Sequence, residues 1–306
     1  MNFKQLAYFV QVAELGSFSK AARVLDIAQP ALSRQVRALE THLHETLLLR
    51  NGRGVVLTEA GQRLYEHGVN ILQSLAQAEA EMGAKRDAPL GRITIGLPPT
   101  LARQLTLPLI DSFGRRCPLA QLSIVEGLSS HISEWISSGR VDLGLLYNPE
   151  AQPGLEITPL IEEALCLISP VDAQAASGAL ALADLSHYPL ILPERSHALR
   201  KLLDNRAVLA GLKLDIAWEV SSIAAIIDLV CAGYGHAVLH ESAVAASGRA
   251  DQLRVRPLVA PRLNSMLCLA VSALKRPSPL GRQAWRLLAD LARSLPQGTA
   301  AQSLPG

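Results

Sequence analysis

The sequence predicts two unlike parts in one chain: a small helical unit closed by a β-hairpin and carried on into one long helix, and then an α/β domain. Three observations support this. Up to about residue 57, apolar residues recur at helical spacing and end at a glycine-rich turn. Residues 58 to about 86 keep a helical pattern without proline, and Asp87-Ala88-Pro89-Leu90-Gly91 breaks it as a hinge. After that hinge, short apolar runs alternate with helical patches, the texture of strands and helices that build parallel sheets.

The first helix follows from Leu6, Phe9, Val10 and Ala13, which fall on one stripe, and Gly16 stops it. Ser17 or Ser19 supplies a cap for the second helix, which carries Ala21, Ala22 and Leu25. The paired alanines are small and let another helix cross closely. Asp26-Ile27-Ala28 makes a tight turn. Gln29-Pro30 opens the third helix, where proline is tolerated because a first-turn N–H has no helical partner. The inner face of this helix is Leu32, Val36 and Leu39; its outer face offers Ala31, Ser33, Arg34 and Arg37. Two short helices with a short turn between them, and a polar, basic outer face on the second, suit a DNA major groove. A plain three-helix bundle with a solvated basic face has the same pattern.

The next residues favour the first reading. Leu47-Leu48-Leu49-Arg50 is a short strand, Asn51-Gly52-Arg53-Gly54 a hairpin turn, and Val55-Val56-Leu57 the returning strand. A β-wing with Arg53 at its tip, beside a helix-turn-helix, is placed for a minor groove or a phosphate. Thr58 then caps the long helix. Along it, Leu64, Gly68, Ile71, Leu75, Ala78 and Met82 are spaced 4, 3, 4, 3, 4, a heptad seam. Pairing with a second copy buries such a seam; lying on its own domain is the other solution.

Charge and cysteine usage narrow the class. The chain of 306 residues has a net charge of only +2. Lys20, Arg23, Arg34, Arg37, Arg50 and Arg53 stand against Asp26, Glu40 and Glu45 in one stretch, a local excess that permits a phosphate-facing surface. Cys117, Cys166, Cys231 and Cys268 are scattered without a C-x-x-C pair and read as reduced, buried thiols of a cytoplasmic protein. No metal site, cofactor, membrane span or export signal is expected.

Together these residues resemble the LysR-type transcriptional regulators. Over residues 1–65 the match rests on Phe9, Gly16-Ser17-Phe18, Ala21-Ala22, Leu25, Gln29-Pro30-Ala31-Leu32-Ser33, Val36, Leu39-Glu40, Leu48, Arg50, Leu57-Thr58 and Ala60-Gly61. Within the family, Ile27-Ala28-Gln29-Pro30-Ala31-Leu32-Ser33 and Glu219-Val220-Ser221-Ser222-Ile223 are most similar to the nitrogen assimilation control proteins. The resemblance implies a winged helix-turn-helix over 1–58, a linker and dimerisation helix over 59–86, a hinge over 87–91 and an effector-binding domain over 92–300. That domain comprises two Rossmann-like subdomains, similar to periplasmic binding proteins. One covers about 92–161 and 270–300, the other about 164–264, with crossing strands near 161–164 and 264–270.

By the same resemblance, Gln29, Pro30, Ser33, Arg34, Arg37 and Arg53 contact double-stranded DNA, and Leu64, Ile71, Leu75, Ala78 and Met82 join two copies into a dimer or tetramer. The chemistry agrees: glutamine bonds adenine N6 and N7, arginine bonds guanine O6 and N7, and Arg37 suits a phosphate. Ala28 departs from the family, in which many members have a capping serine. A contact with RNA polymerase is left open.

In the second half, strands are expected at 92–96, 121–126, 141–147, 164–169, 189–192, 214–220, 236–240 and 264–274, with helices near Thr100, from Ser129, at 197–210, 222–232 and 279–295. Ligands of such sheets sit at strand C-terminal ends. Thr100, Ser129 and Ser130 stand where strands give way to helix N-termini, which favour a carboxylate or other anion. They match helix-start residues that line the family's effector cleft. From the facing side come Ser196, His197 and Ile223, with Tyr147 and Asn148 near the hinge. Capping or packing is the alternative role for each. His240 stands where the family often has proline. With no G-x-S-x-G elbow, P-loop or metal-ligand cluster, an enzyme is not expected. The expected function is a regulator whose oligomer geometry is switched by a small anionic effector; an effector-independent regulator and an α/β solute-binding protein or enzyme stay as alternatives.

Overall fold

The computed structural model describes residues 1–51, 54–83, 89–171, 178–275 and 277–295. They fall into two units, Met1–Gly91 with Ser138–Arg140, and Arg92–Ser137 with the chain from Val141 onward.

In the first unit, α1 (Phe3–Leu15) starts at Asn2 in a reciprocal cap: the Asn2 side chain accepts from the Gln5 N–H, and the Gln5 side chain accepts from the Asn2 N–H. It ends at left-handed Gly16. Ser17, not Ser19, caps α2 (Phe18–Val24). Then come α3 (Gln29–Leu43) and the hairpin of β1 (Leu48–Asn51) and β2 (Gly54–Leu57), with Arg50 opposite Val55. The long helix is α4 (Glu59–Gly83); the Thr58 hydroxyl accepts from the Gly61 N–H at 2.9 Å and so caps it. A Cβ on Gly61 would run into the carbonyl of Leu47, so the hairpin and α4 meet this closely only over glycine. Phe9, Val12, Ala21, Leu32, Val36, Leu39 and Leu47 form the core.

The seam on α4 behaves differently from the expectation. Its first turns pack within their own chain: Leu64 lies against the core of this unit, and Gly68 is buried under Leu6 and Val10 of α1. The bare backbone at Gly68 is what admits α1, because an added Cβ would come within 3.0 Å of both side chains. Farther along, Ile71 and Ala78 are exposed and Leu75 half-buried. The side chain of Met82 lies outside the described residues, as do residues 84–88 of the expected linker and hinge.

The second unit begins with β3 (Gly91–Leu97), α5 (Pro99–Arg116), β4 (Ala120–Glu126), α6 (Ser129–Ser138) and β5 (Leu143–Tyr147). There follow β6 (Leu155–Pro170), β7 (Leu180–Ala181), β8 (Leu190–Leu192), α7 (Ala198–Leu209), β9 (Ile216–Glu219), α8 (Ile223–Cys231), β10 (Ala237–His240) and α9 (Glu241–Ser247). The chain closes with β11 (Leu253–Val259), β12 (Asn264–Ser272) and α10 (Pro279–Arg293). One half is the sheet β4-β3-β5-β12-β6, in which β3 and β5 run parallel and β12 antiparallel to both neighbours. In the other half β10 and β11 flank β6, β7 borders β11, and β8 pairs with β9 and bridges to His236 just before β10.

The strand β6 belongs to both halves. Its residues 155–164 pair with β12, and 165–170 pair with β10 and β11, so one crossing lies between Ala164 and Leu165. The second lies at the start of 264–270. Leu263 is in the core of the other half, where its carbonyl accepts from the Leu165 N–H, and β12 then pairs with the first part of β6 from Asn264 against Ala164 to Ser272 against Leu155, with one register shift between Leu267 and Cys268. The first part of β6, β7, α9 and β11 were not anticipated. Glu156, Pro159 and Glu162 interrupt the apolar run of β6, and α9 has only two turns. Among the described residues no helix is long and apolar enough to cross a membrane, and no cluster has the composition of a metal site. The four cysteines are free, and burial pushes the Cys166 thiol up to about 12, which keeps it protonated.

Candidate nucleic-acid interface and ligand cleft

The third helix sorts its residues by face. Leu32, Val36 and Leu39 are buried, while Pro30, Arg34 and Arg37 are exposed and Gln29 and Ser33 half-exposed. Spacing places Gln29, Ser33 and Arg37 one turn apart in a row, with Pro30 and Arg34 in the next. The helix starts at Ala28, which makes no side-chain cap bond, and Asp26 in the turn before it has a positive φ of 51°.

The hairpin is fixed to this helix by one carboxylate. Oε1 of Glu40, near the end of α3, accepts from the backbone N–H groups of Leu47 (2.9 Å) and Leu48 (3.2 Å). Such charge-assisted bonds are among the stronger ones. On the other side, the Val55 N–H donates to the carbonyl of Gly16, in the turn between α1 and α2. The base of the wing is thus held at both edges. Arg53, at the expected tip, and the side chain of Arg50 lie outside the described residues.

In the second unit a cleft of about 550 Å³ opens between the two halves. Four helices present their N-termini to it: α5 through Pro98, Pro99 and Thr100, α6 through Ser129, α7 through His197 and Ala198, and α8 through Ser222 and Ile223. Each such end exposes backbone donors and the positive end of a helix dipole. Arg103 and Arg249 add positive charge, the latter paired with Asp228 at 3.2 Å. Arg103 also reaches the carbonyl of Ser247 at 3.4 Å, tying α5 in one half to α9 in the other. Oγ of Ser129 accepts from the Tyr147 N–H at 3.0 Å, so its own hydrogen remains to be donated.

The floor is a buried polar cluster. The Tyr147 hydroxyl donates to Glu163 of β6 at 2.6 Å, and its ring stacks on His240, with centroids 4.6 Å apart. Burial, then the charge and hydrogen bond of Glu163, raises the phenol well above its usual range. His240 is 6% exposed, and its Nε2 has no hydrogen-bond partner among the described residues. Leaving such an atom unpaired costs about 1–3 kcal/mol. Burial lowers His240 from the usual imidazole range against the pull of Glu163. His197 caps α7, its Nδ1 accepting from the Leu199 N–H at 3.3 Å; burial and the neighbouring His240 bring it down to about 4. His197 is therefore neutral at pH 7, with its proton on Nε2.

Thr100, Ser129, Tyr147, His197 and Ile223, named from sequence, meet in this cleft. Ser130 and Ser196 do not. They line a second, shallower recess on the far side of Ser129 and Tyr147, together with Asn148, whose amide bonds Ser265 and the Met266 N–H. For Ser130 the reason is geometric: one residue beyond the helix start turns the side chain by about a quarter of the circumference; Ser196 stands one residue before the cap of α7. Several cleft residues were not anticipated. Arg103 stands three residues after Thr100, on the same face of α5, a signal present in the spacing. Ser222 is the cap of α8, one position before Ile223. Asp228 and Arg249 are brought together only by the fold.

Comparison with known proteins agrees with both units. Residues 3–62 match the family model "Bacterial regulatory helix-turn-helix protein, lysR family", and residues 86–293 match "LysR substrate binding domain". The chain is 32% identical over 292 residues to the nitrogen assimilation regulatory protein nac of Klebsiella aerogenes, covering 95% of each chain. Its fold is similar to a full-length OxyR variant from Pseudomonas aeruginosa (TM-score 0.73, 26% identity, 100% of this chain and 99% of that one). It is also similar to full-length CbnR complexed with its target DNA (TM-score 0.69, 25% identity, 95% and 100%). With both of its units matched in chain order, this protein belongs to the LysR family of helix-turn-helix transcriptional regulators.

Proposed function

We propose that this chain is a sequence-specific transcription regulator that reads a DNA major groove with Gln29, Pro30, Ser33, Arg34 and Arg37, and that a small anionic effector in the cleft switches the geometry of its oligomer. The observation that carries the reading is the division of α3 into a buried apolar face and an outward face of polar and cationic side chains. Arg53, expected from the sequence at the hairpin turn, is assigned to the minor groove or a phosphate. Two copies joined along α4 would set two recognition helices on half-sites. Ile71, Leu75 and Ala78 suit that contact, with Met82 continuing their row; Leu64 serves the core of its own chain. The chain works in the cytoplasm and is not an enzyme.

The effector site is the cleft that Thr100, Ser129, Tyr147, His197 and Ile223 line. A ligand touching both halves favours their closed arrangement by its differential affinity, and the oligomer transmits that bias. The first test is Arg34→Ala in gel shifts against a duplex selected from a random library. It is expected to weaken binding by about 1–3 kcal/mol and relax the preference at one base pair. Unchanged affinity and unchanged preference would remove α3 from the interface.

A further inference from the structure

We propose that Arg200 is a positioning residue of the cleft: its buried guanidinium ties the first turn of α7 to the ends of β8 and β9, so that the starts of α7 and α8 keep one spacing and move as one wall. The inference rests on the reading of this cleft as the effector site and adds a residue that lines neither the cleft nor the second recess.

The two strands end side by side. Leu192 of β8 pairs with Glu219 of β9, and the Val220 N–H donates to the Leu192 carbonyl at 3.0 Å. From there the chain enters α7 through residues 193–197 and α8 through residues 220–222. Arg200, in the first turn of α7, reaches both strand ends. Its Nη1 donates to the Pro193 carbonyl at 3.0 Å and to Oε2 of Glu219 at 3.1 Å. Its Nε donates to both oxygens of Asp204, one turn along α7, at 2.8 and 2.9 Å, which orients the planar fork. One side chain thus joins the ends of two strands to the helix that His197 caps. Through Val220 and Ser221 it also reaches Ser222, the cap of α8.

Stability alone is a poor account of a cation at this place. Arg200 is 2% exposed. The helix dipole opposes positive charge in a first turn, and apolar side chains of similar volume often stabilise as well as a buried ion pair does. What the guanidinium adds is direction, since it holds separate acceptors at set angles. Two of them, the Pro193 carbonyl and Glu219, border the connections that bring His197 and Ser222 to the cleft. A ligand then meets His197, Ser222 and Ile223 in the same spacing, whichever arrangement the two halves take about β6.

The test uses the full chain and no ligand. Hydrogen exchange reads peptides covering residues 199–203 of α7 and 225–229 of α8, with α10 as the reference. Arg200→Met is expected to quicken exchange about tenfold or more in both peptides and to leave α10 unchanged. Glu219→Ala, a change at the end of β9 in a side chain about half exposed, should quicken α7 as well as α8. Arg200→Lys separates position from charge, because it keeps the charge and loses the fork. A looser start of α7 admits water to His197, so its NMR titration should rise from about 4 toward 6.5, the signal being identified by its loss in His197→Asn. His240 faces His197, with Tyr147 and Glu163 behind it, and none of these is altered. If Arg200→Met does not fold, the other two variants carry the test. Faster exchange only in the element that bears the substitution, an equal rise in α10, or an unmoved His197 in Arg200→Lys would each overturn the proposal. A cleft that binds no effector would leave the coupling in place and sink only the effector reading; loss of the coupling would leave that reading standing.

Discussion

The outer face of α3 and the floor of the cleft are both polar, but they are made polar in opposite ways. Arg34 and Arg37 stand in solvent on one helix, with their positions set by the buried residues between them. Tyr147, Glu163, His197 and His240 come from β5, β6, the start of α7 and the end of β10, and each is fixed by burial and by the others. An exposed cation keeps its charge cheaply and serves a partner that arrives from outside. A buried imidazole gives up its charge and suits a neutral, hydrogen-bonding role inside the folded domain. A single helix is enough for the first arrangement, whereas the second exists only in the folded domain.

Substituting the two faces of α3 separately is the strongest way to break this contrast. Leu32→Ala removes a fully buried side chain beneath the outer face of α3. It is expected to cost about 2–5 kcal/mol of stability in urea unfolding, with DNA binding lost through unfolding. Arg34→Ala, on the outer face of the same helix, should leave the same unfolding curve within about 0.5 kcal/mol and act on DNA binding alone. If the arginine change destabilised as much as the leucine change, the outer face would be part of the core and the division would fail.

The cleft makes a pH prediction that α3 does not. His197 is held at about 4 in the folded chain against an ordinary 6.5. Between those values the unfolded chain binds a proton that the native state lacks. The contribution to stability is therefore full above about pH 7 and declines as pH falls from 6.5 to 4, on the order of 3 kcal/mol at most. His197→Asn retains an oxygen able to cap α7 and removes the titration. The difference between wild type and variant is expected to change over that window and to be level above it, other titrating groups cancelling in the comparison. A difference constant from about pH 7.5 to 4 would mean that His197 is not buried as a neutral cap.

The same contrast decides what was legible in the sequence. The period of Leu32, Val36 and Leu39 names the outer residues without a tertiary structure, because one helix fixes its own faces. Thr100, Ser129 and His197 were legible for a related reason: each is a cap or start at the end of a strand, and strand C-termini converge. Ser130 and Ser196 stand one position from Ser129 and His197 and line the neighbouring recess, since sequence shows where a helix begins more readily than which way the residues around its start turn. Glu163 was missed because β6 is interrupted by charge and proline yet runs through both halves. His240 was marked only as standing where the family often has proline. Its orphaned Nε2 becomes visible only when Tyr147 is seen to cover the ring while bonding elsewhere. On α4, spacing marked a seam but did not show that α1 would take its first turns, which depended on the bare backbone at Gly68.

The smallest expected effect bears on the local end of the comparison. Ala28 occupies the N-cap of α3 with an extended backbone, φ −66° and ψ 129°, the conformation a capping serine adopts. Ala28→Ser needs no rearrangement. What it gains is limited by Pro30, which has no N–H, and by Ala31, whose N–H already donates to the Ala28 carbonyl at 2.9 Å. A serine oxygen would share that one donor instead of satisfying an orphan. The gain in unfolding free energy is therefore expected near the low end of the capping range, about 0.5 kcal/mol. Because the change stays within one helix, the shift should be unaffected by any cleft ligand. A gain of about 2 kcal/mol would mean that the start of α3 is looser than its geometry implies. Dependence on a ligand would mean that the two units are coupled in the free chain, and the separation of local face from assembled cleft would have to be abandoned.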